Sequence, residues 1–532
     1  MSNSRLQKSI LLLLACMMLW VTFFHLTGDI RDPDFFWHLK TGEWIWQHGK
    51  LPAKDPFSYT TEGLESVRER VIMTSPWLSQ VIFWLSYRVA DMSGIVLLRF
   101  VIVGNLLFAM AMRKGGDRVF STGLLLLFFV LLLKSYPIER PQVFSFLFFA
   151  VMLHLLEGQK QHDTPDKADS RYGRSFLIVL PLLMLVWANM HGGYVVGVAA
   201  ILVYVTCEGI KFLSPALNPM KKRDYRMLLT AGVMGVLISF VNPNTYHVFA
   251  DNILFQREYV TANNIEFQST IRFFSKYHDP AVIIYWCILF LAGVGMLFTA
   301  KKTDISEAVL LGATGYFSFT ALRYVAFFLI AALPVVARIF SGGKLLKPVR
   351  ALVLAGSVAA CIFFTSGHIA TKNLMTGNWI DAQKFPVAGA DFIRANDLRG
   401  NMYNYFDWGG YLIWRLAPER KVFIDGRTLY PHTYHQSDVI DTADARPIGP
   451  LPSWKAALEQ YNVNYTVTPA SLPLVRALSE DREWIPVFLD STAVIFAKDT
   501  PENRHVIQEY ALDKGTLLRW PNDRQLRENA SP

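Results

Sequence analysis

The sequence predicts a polytopic α-helical membrane protein with an extramembrane α/β domain toward its C-terminal end. Three observations predict it. The chain of 532 residues is 52% hydrophobic, with a mean hydropathy of +0.26. Its apolar residues fall in long runs, many approaching the roughly 20 residues needed to cross a hydrocarbon core. After residue 368 the runs stop, and polar sequence of mixed charge begins.

The expected spans are 9–27, 94–112, 119–134, 141–157, 176–190, 194–212, 227–241, 281–300, 305–320, 323–340 and 350–367, about 11 in all. The first follows Arg5 and Lys8, as a signal peptide would. Phe23-Phe24-His25-Leu26 offers no small-residue cleavage site, so an uncleaved anchor is expected. Placing the N-terminus in the cytoplasm puts every basic loop on one face. Those loops carry Arg113, Lys114 and Arg118; Lys160, Lys167, Arg171 and Arg174; Lys221, Lys222, Arg223 and Arg226; Lys301 and Lys302; and Arg338, Lys344, Lys347 and Arg350. This is the positive-inside pattern. Counting 76–92 as a span would break the parity. That segment reads instead as an amphipathic helix in the interface.

An odd number of spans places the tail outside. The expected organisation is a transmembrane domain over 1–368 with a first outer loop at 28–93, an outer α/β domain over 369–500, and a charged, loosely attached tail over 501–532. Within the outer domain, 421–424, 464–467 and 493–496 read as strands, and 386–395, 454–461 and 473–478 as helices. The four cysteines, Cys16, Cys207, Cys287 and Cys361, lie in apolar runs without zinc-ligand spacing, and read as packing residues. The net charge of +9 resides largely in the orienting loops, so no nucleic-acid partner is expected.

Unusual polar residues gather on the outer face. Asp32-Pro33-Asp34-Phe35-Phe36-Trp37-His38 begins just after the first span, with Glu43 following. Arg140-Pro141-Gln142 opens the fourth span, Asn189-Met190-His191-Gly192-Gly193 joins two spans, and Arg323-Tyr324 sits at a hairpin. A carboxylate at Asp32 or Asp34 suits a general base or a ligand for a divalent cation such as Mg or Mn, and His38 lies beside them. Arginines at 140 and 323 suit a phosphate leaving group. Gln142, Asn189, His191 and Tyr324 suit the orientation of a polyhydroxylated substrate. Plainer readings stand beside these. Asp32 can cap a helix, Arg140 can anchor one, Arg323 can snorkel, and Asn189 and His191 can bond between helices.

An Asp-X-Asp loop after the first span, many spans and an outer C-terminal domain together resemble the GT-C glycosyltransferases. In the tail, Tyr405-Phe406-Asp407-Trp408-Gly409-Gly410-Tyr411 resembles the Trp-Trp-Asp-Tyr-Gly region of the oligosaccharyltransferase catalytic subunit. Arg420-Lys421-Val422-Phe423-Ile424-Asp425-Gly426-Arg427 resembles the segment that follows it. Phe406 stands where that family has Trp, and Trp408 where it has Tyr. The resemblance implies a polyprenyl-phosphate-linked sugar donor and an acceptor on the periplasmic face of a bacterial inner membrane. It puts Asp32, Asp34 and His38 in the catalytic region, Arg323 at the lipid phosphate, and Asp407, Trp408, Asp425 and Arg427 on the acceptor. Two rival classes are a transporter or flippase of lipid-linked saccharides, and a non-enzymatic assembly protein that binds polysaccharide. The first would place ionisable groups at the midplane and discontinuous helices in related halves.

Overall fold

The structure, a computed structural model, describes residues 3–64, 66–113, 117–136, 138–160, 170–250, 264–298, 304–341, 347–365, 373 and 376–519. Lys114, Lys167, Lys301, Lys302 and Lys344 of the basic loops, and the tail beyond 519, lie outside the described residues. The chain forms two compact units, Met1–Gly28 with Leu85–Asn378, and Asp29–Trp84 with Trp379–Pro532. The first loop therefore folds with the C-terminal region, a grouping that the sequence reading did not make.

The first unit is helical. Each expected span falls on a helix: Asn3–Leu26, the later part of Trp77–Arg113, Arg118–Ser135, Gln142–Lys160, Ser170–Met190, Tyr194–Ile210, Lys222–Ile238, Pro280–Phe298, Ile305–Thr320, Val325–Ser341 and Lys347–Thr365. Among the described residues, 7 helices are long and apolar enough to cross a membrane, and Ser175–Met190 and Arg350–Phe363 are shorter apolar helices. Arg118–Ser135 is buried from Phe120 to Leu133 and packs against Asn3–Leu26, Val325–Ser341 and Lys347–Thr365. Large apolar side chains such as Leu12, Leu19, Phe108, Phe290 and Leu297 face outward. Such a surface is stable against lipid and costly against water. Helix Trp77–Arg113 breaks at Ala90 and Asp91, where Asp91 takes φ 49°. The break sets the segment read as interfacial apart from the span that follows.

The second unit is built on a four-stranded mixed sheet, β1 (Asn401–Asn404), β2 (Val463–Thr468), β3 (Trp484–Leu489) and β4 (Val494–Lys498), in the order β1-β2-β4-β3. β1 and β2 are parallel, and β4 runs antiparallel to β2 and β3. The long connection from β1 to β2 carries helices Gly409–Leu416, Pro431–Asp441 and Trp454–Gln460. Tyr403, Phe423, Ile440, Leu458, Leu478, Trp484 and Phe496 form its core.

Two expectations need correction here. Segment 421–424 is not a strand of this sheet, because other groups take its backbone. Val422 N–H donates to the Phe57 carbonyl at 2.9 Å, and the Asn404 side chain accepts from Phe423 N–H and donates to the Ile424 carbonyl, both at 2.8 Å. Nor is the start of the tail loose: Arg504–Tyr510 and Lys514–Arg519 are helices, and Val506 and Leu517 are buried. β1 and β3 were not anticipated.

Candidate functional site

In the second unit three distant motifs come together. Asp32 caps the helix Pro33–His48, its Oδ1 accepting from Asp34 N–H at 2.8 Å, with Pro33 at the first helical position. Asp34 Oδ1 accepts from Trp37 Nε1 at 3.2 Å. Gly410 lies so close that a Cβ there would stand 2.1 Å from the Pro33 carbonyl oxygen. Gly426 approaches further, since a Cβ there would stand 2.0 Å from Asp34 Oδ1. The glycines of the tail motifs thus receive the Asp-Pro-Asp turn, with this chain's own backbone and carboxylate where a side chain would stand. Phe36 seals the contact, its ring 5.0 Å from Phe385, 5.1 Å from Tyr411 and 5.4 Å from Trp414.

The Asp407–Tyr411 motif turns from a strand into a helix. β1 leads into a short 3-10 turn, Phe406–Trp408, and then into Gly409–Leu416. Beyond the ends of the parallel strands β1 and β2 lies a cavity of about 540 Å³, lined among others by Lys384, Tyr405, Asp407, Trp408, Ser471 and Thr492. Parallel strands commonly place ligands there. Removal of water by the surrounding protein raises the Asp407 pKa, and the charge of Asp32 adds to the rise. Lys384 and the Tyr405 hydroxyl oppose it. Asp32 and Asp407 therefore share one field.

Four of the expected site residues are buried in this geometry. Trp408 is 4% exposed, its Nε1 donates to the Lys384 carbonyl at 2.8 Å, and it forms part of the cavity wall. Arg427 has no exposed side chain. It donates to Asp55 Oδ1 at 2.7 Å, to both oxygens of Asp425 at 2.7 and 2.6 Å, and to Ser58 Oγ at 3.0 Å. Burial alone would lower the Arg427 pKa, and Asp425 and Asp55 more than offset it. Arg427 and Asp425 thus join the first loop to the tail. His38 is buried, with Nδ1 3.2 Å from Gln80 Nε2, so its position beside the carboxylates in sequence does not make it an open base.

One oxygen of Asp32 and one of Asp34 hold hydrogen bonds, which leaves the second oxygen of each. Among the described residues no three His, Cys, Asp or Glu side chains are grouped to hold a metal.

In the first unit, residues at several helix ends form a second cluster. Arg140, just before Gln142–Lys160, pairs with Glu266 in the short turn Ile265–Phe267. The hairpin Leu322–Tyr324 is clasped to that turn by the bond from Leu322 N–H to the Gln268 carbonyl, 3.1 Å. Arg323 lies over the Phe267 ring at 4.5 Å and near the Tyr324 ring at 5.8 Å. Among the described residues it makes no ion pair or hydrogen bond. Beside it is a cavity of about 190 Å³ lined by Lys134, Tyr136, Glu266, Asp279, Tyr285 and Arg323, among others. Tyr136 fixes the hairpin by donating to the Leu322 carbonyl at 2.6 Å.

His191 lies within electrostatic range of Arg140 and Arg323. Asn189 instead clips two helices together, donating to the Leu185 and Val241 carbonyls at 2.9 and 2.8 Å. Gln142 is buried at the first residue of its helix. Sequence reasoning missed Glu266, Lys134, Tyr136 and Lys384. Only Glu266 carried a signal, as a carboxylate in a polar segment between spans.

No protein-family model matches the chain, and no curated protein matches it in sequence. Its fold nevertheless has solved counterparts, and the likeness to them is one of fold. One is the archaeal oligosaccharyltransferase AglB from Archaeoglobus fulgidus, in complex with an inhibitory peptide and a dolichol-phosphate. It is 12% identical, with a TM-score of 0.54 over 94% of this chain and 75% of its own. Another is ArnT from Cupriavidus metallidurans bound to undecaprenyl phosphate, 13% identical, with a TM-score of 0.54 over 91% of this chain and 97% of its own. The A. fulgidus oligosaccharyltransferase in complex with Zn and sulfate is 12% identical, with a TM-score of 0.52 over 92% of this chain and 73% of its own.

Proposed function

We propose that the chain is a membrane glycosyltransferase that moves a sugar from a polyprenyl-phosphate-linked donor to an acceptor on the periplasmic face of a bacterial inner membrane. The observation that carries this reading is Arg323, a guanidinium without an anionic partner among the described residues, beside a cavity at the helix ends. A cation in such surroundings loses solvation, and a phosphate ligand would restore its balance with charge-assisted, bidentate bonds. The fold adds support, since two solved counterparts hold a dolichol-phosphate and undecaprenyl phosphate.

On this reading about 11 spans cross the membrane with the N-terminus cytoplasmic, following the basic loops. The acceptor hydroxyl attacks the anomeric carbon as the bond from that carbon to the phosphate oxygen breaks. Asp34 or Asp32 takes the acceptor proton, and Arg323, with Arg140, stabilises the departing lipid phosphate. Asp407 accepts hydrogen bonds from acceptor hydroxyls at the cavity mouth.

The test is to reconstitute the full chain in liposomes with a lipid-linked saccharide pool and measure release of free polyprenyl phosphate. Release that depends on the protein supports transfer. Movement of intact donor across the bilayer without release would make the chain a transporter. Saccharide binding with neither would make it an assembly protein.

A further inference from the structure

His191 occupies the turn between Ser170–Met190 and Tyr194–Ile210. Gly193 N–H donates to its Nδ1 at 3.0 Å, so that nitrogen carries no proton. Ser145 Oγ lies 2.8 Å from the same nitrogen and must therefore donate its hydroxyl hydrogen to it. Ser145 Oγ in turn accepts from Trp187 Nε1 at 2.8 Å. Ser145 and Trp187 are wholly buried, so this relay is shielded from water and runs in one direction. The neutral ring's proton is left on Nε2. His191 makes no further hydrogen bond among the described residues, and its ring is half-buried. Burial, with the charges of Arg323 and Arg140, pushes its pKa down to about 3.

We infer that His191 is an uncharged hydrogen-bond donor through Nε2 to an anionic phosphoryl oxygen, with the Gly193 N–H fixing its tautomer and Ser145 and Trp187 as positioning residues that hold its ring. The ligand in this inference rests on the phosphate reading above, and the tautomer does not. A neutral donor adds direction between two guanidinium groups without adding a third positive charge to repel them.

The experiment labels the histidines of the full chain, 12 in number, with ¹⁵N in detergent micelles and records two-bond proton–nitrogen correlations. His191→Gln identifies the signal by its loss. The inference expects a protonated Nε2 and a bare Nδ1 throughout the range of about pH 5 to 8 where an ordinary histidine titrates. Ser145→Ala should shift the Nδ1 resonance, while the Gly193 N–H keeps that nitrogen bare. A protonated Nδ1 in the wild type would overturn the lock.

Dodecyl phosphate and inorganic phosphate are the binding probes. A Gln at 191 keeps an N–H near the Nε2 position and should hold affinity to within about 3-fold, whereas Asn moves the amide to the Nδ1 position and should lose about 10-fold or more. Gln and Asn variants that bind alike would overturn the donor role. A response to dodecyl phosphate alone assigns a lipid headgroup, and an equal response to both assigns phosphate itself. Wild-type protein that binds neither probe would defeat the phosphate reading and the donor role together, while the spectrum still decides the tautomer.

Discussion

Two sets of helix ends in the first unit carry similar cations and treat them differently. In one set each cation meets a carboxylate. Arg113, with 1% of its side chain exposed, holds both oxygens of Glu157 at 3.0 and 2.6 Å. Lys211 pairs with Glu208 at 2.8 Å and with Asp304, Arg350 with Asp117 at 2.9 Å, and Arg338 with Glu307. In the other set Arg140 has Glu266 and Lys134 has Asp279, but Arg323 rests on aromatic faces beside a cavity. Cation–π contact at such a site contributes about 0.5–2 kcal/mol, less than a carboxylate partner offers in low dielectric. The difference teaches what the proposed phosphate contact rests on: among the described residues every cation of the first set has a carboxylate, and Arg323 has aromatic faces instead.

The largest expected effect lies in the completed set. Arg113→Ala strips Glu157 of its buried partner and should cost about 3–5 kcal/mol, read as a lowered Tm in detergent. An unchanged Tm would remove the contrast between the two sets. Next comes the carboxylate turn. In Asp34→Asn the amide oxygen can still accept from Trp37 Nε1, so the fold should hold while sugar transfer falls about 10²-fold. Full activity in both Asp34→Asn and Asp32→Asn would reduce the motif to a helix cap. Gly410→Ala drives a methyl into the Pro33 carbonyl and should destabilise the second unit by about 1–3 kcal/mol, measured by limited proteolysis.

The smallest effect concerns Asp441, which accepts from the Tyr403 hydroxyl at 2.7 Å. Burial, with the charges of Asp438 and Asp407, pushes its pKa up to about 7. The folded state therefore holds this proton more tightly than the unfolded chain does. Its stability contribution is full below the ordinary carboxyl range and is lost as pH rises toward 7. The second unit should resist denaturant slightly better at acidic pH, and Asp441→Asn should flatten that slope. A slope that persists in the variant would assign it elsewhere.

The spans were legible because a run of about 20 apolar residues has no stable alternative to crossing lipid or lining a core. Arg140 and Arg323 were legible as cations at the ends of apolar runs. Glu266 was not, because its meaning arises only when Ile265–Phe267 meets the residue before Gln142–Lys160. The burial of Asp425 and Arg427 was not legible for a physical reason. A buried ion network and a binding site draw on the same residue types, and the partner Asp55 is distant in sequence. Trp408 is ambiguous in the same way, since an aromatic beside glycines serves a core as well as a sugar. The pairing of the first loop with the tail rests on contacts such as Val422 with Phe57, which no local pattern encodes.

The central claim is that Arg323 awaits a phosphate. The direct measurement is the affinity of purified wild-type, Arg323→Lys and Arg323→Ala protein for a short polyprenyl monophosphate, with Tm recorded for each. The account predicts unchanged Tm, a loss of several-fold for Lys, which keeps the charge without the fork, and a loss of about 30-fold or more for Ala. Equal affinity of wild type and Arg323→Ala would contradict it.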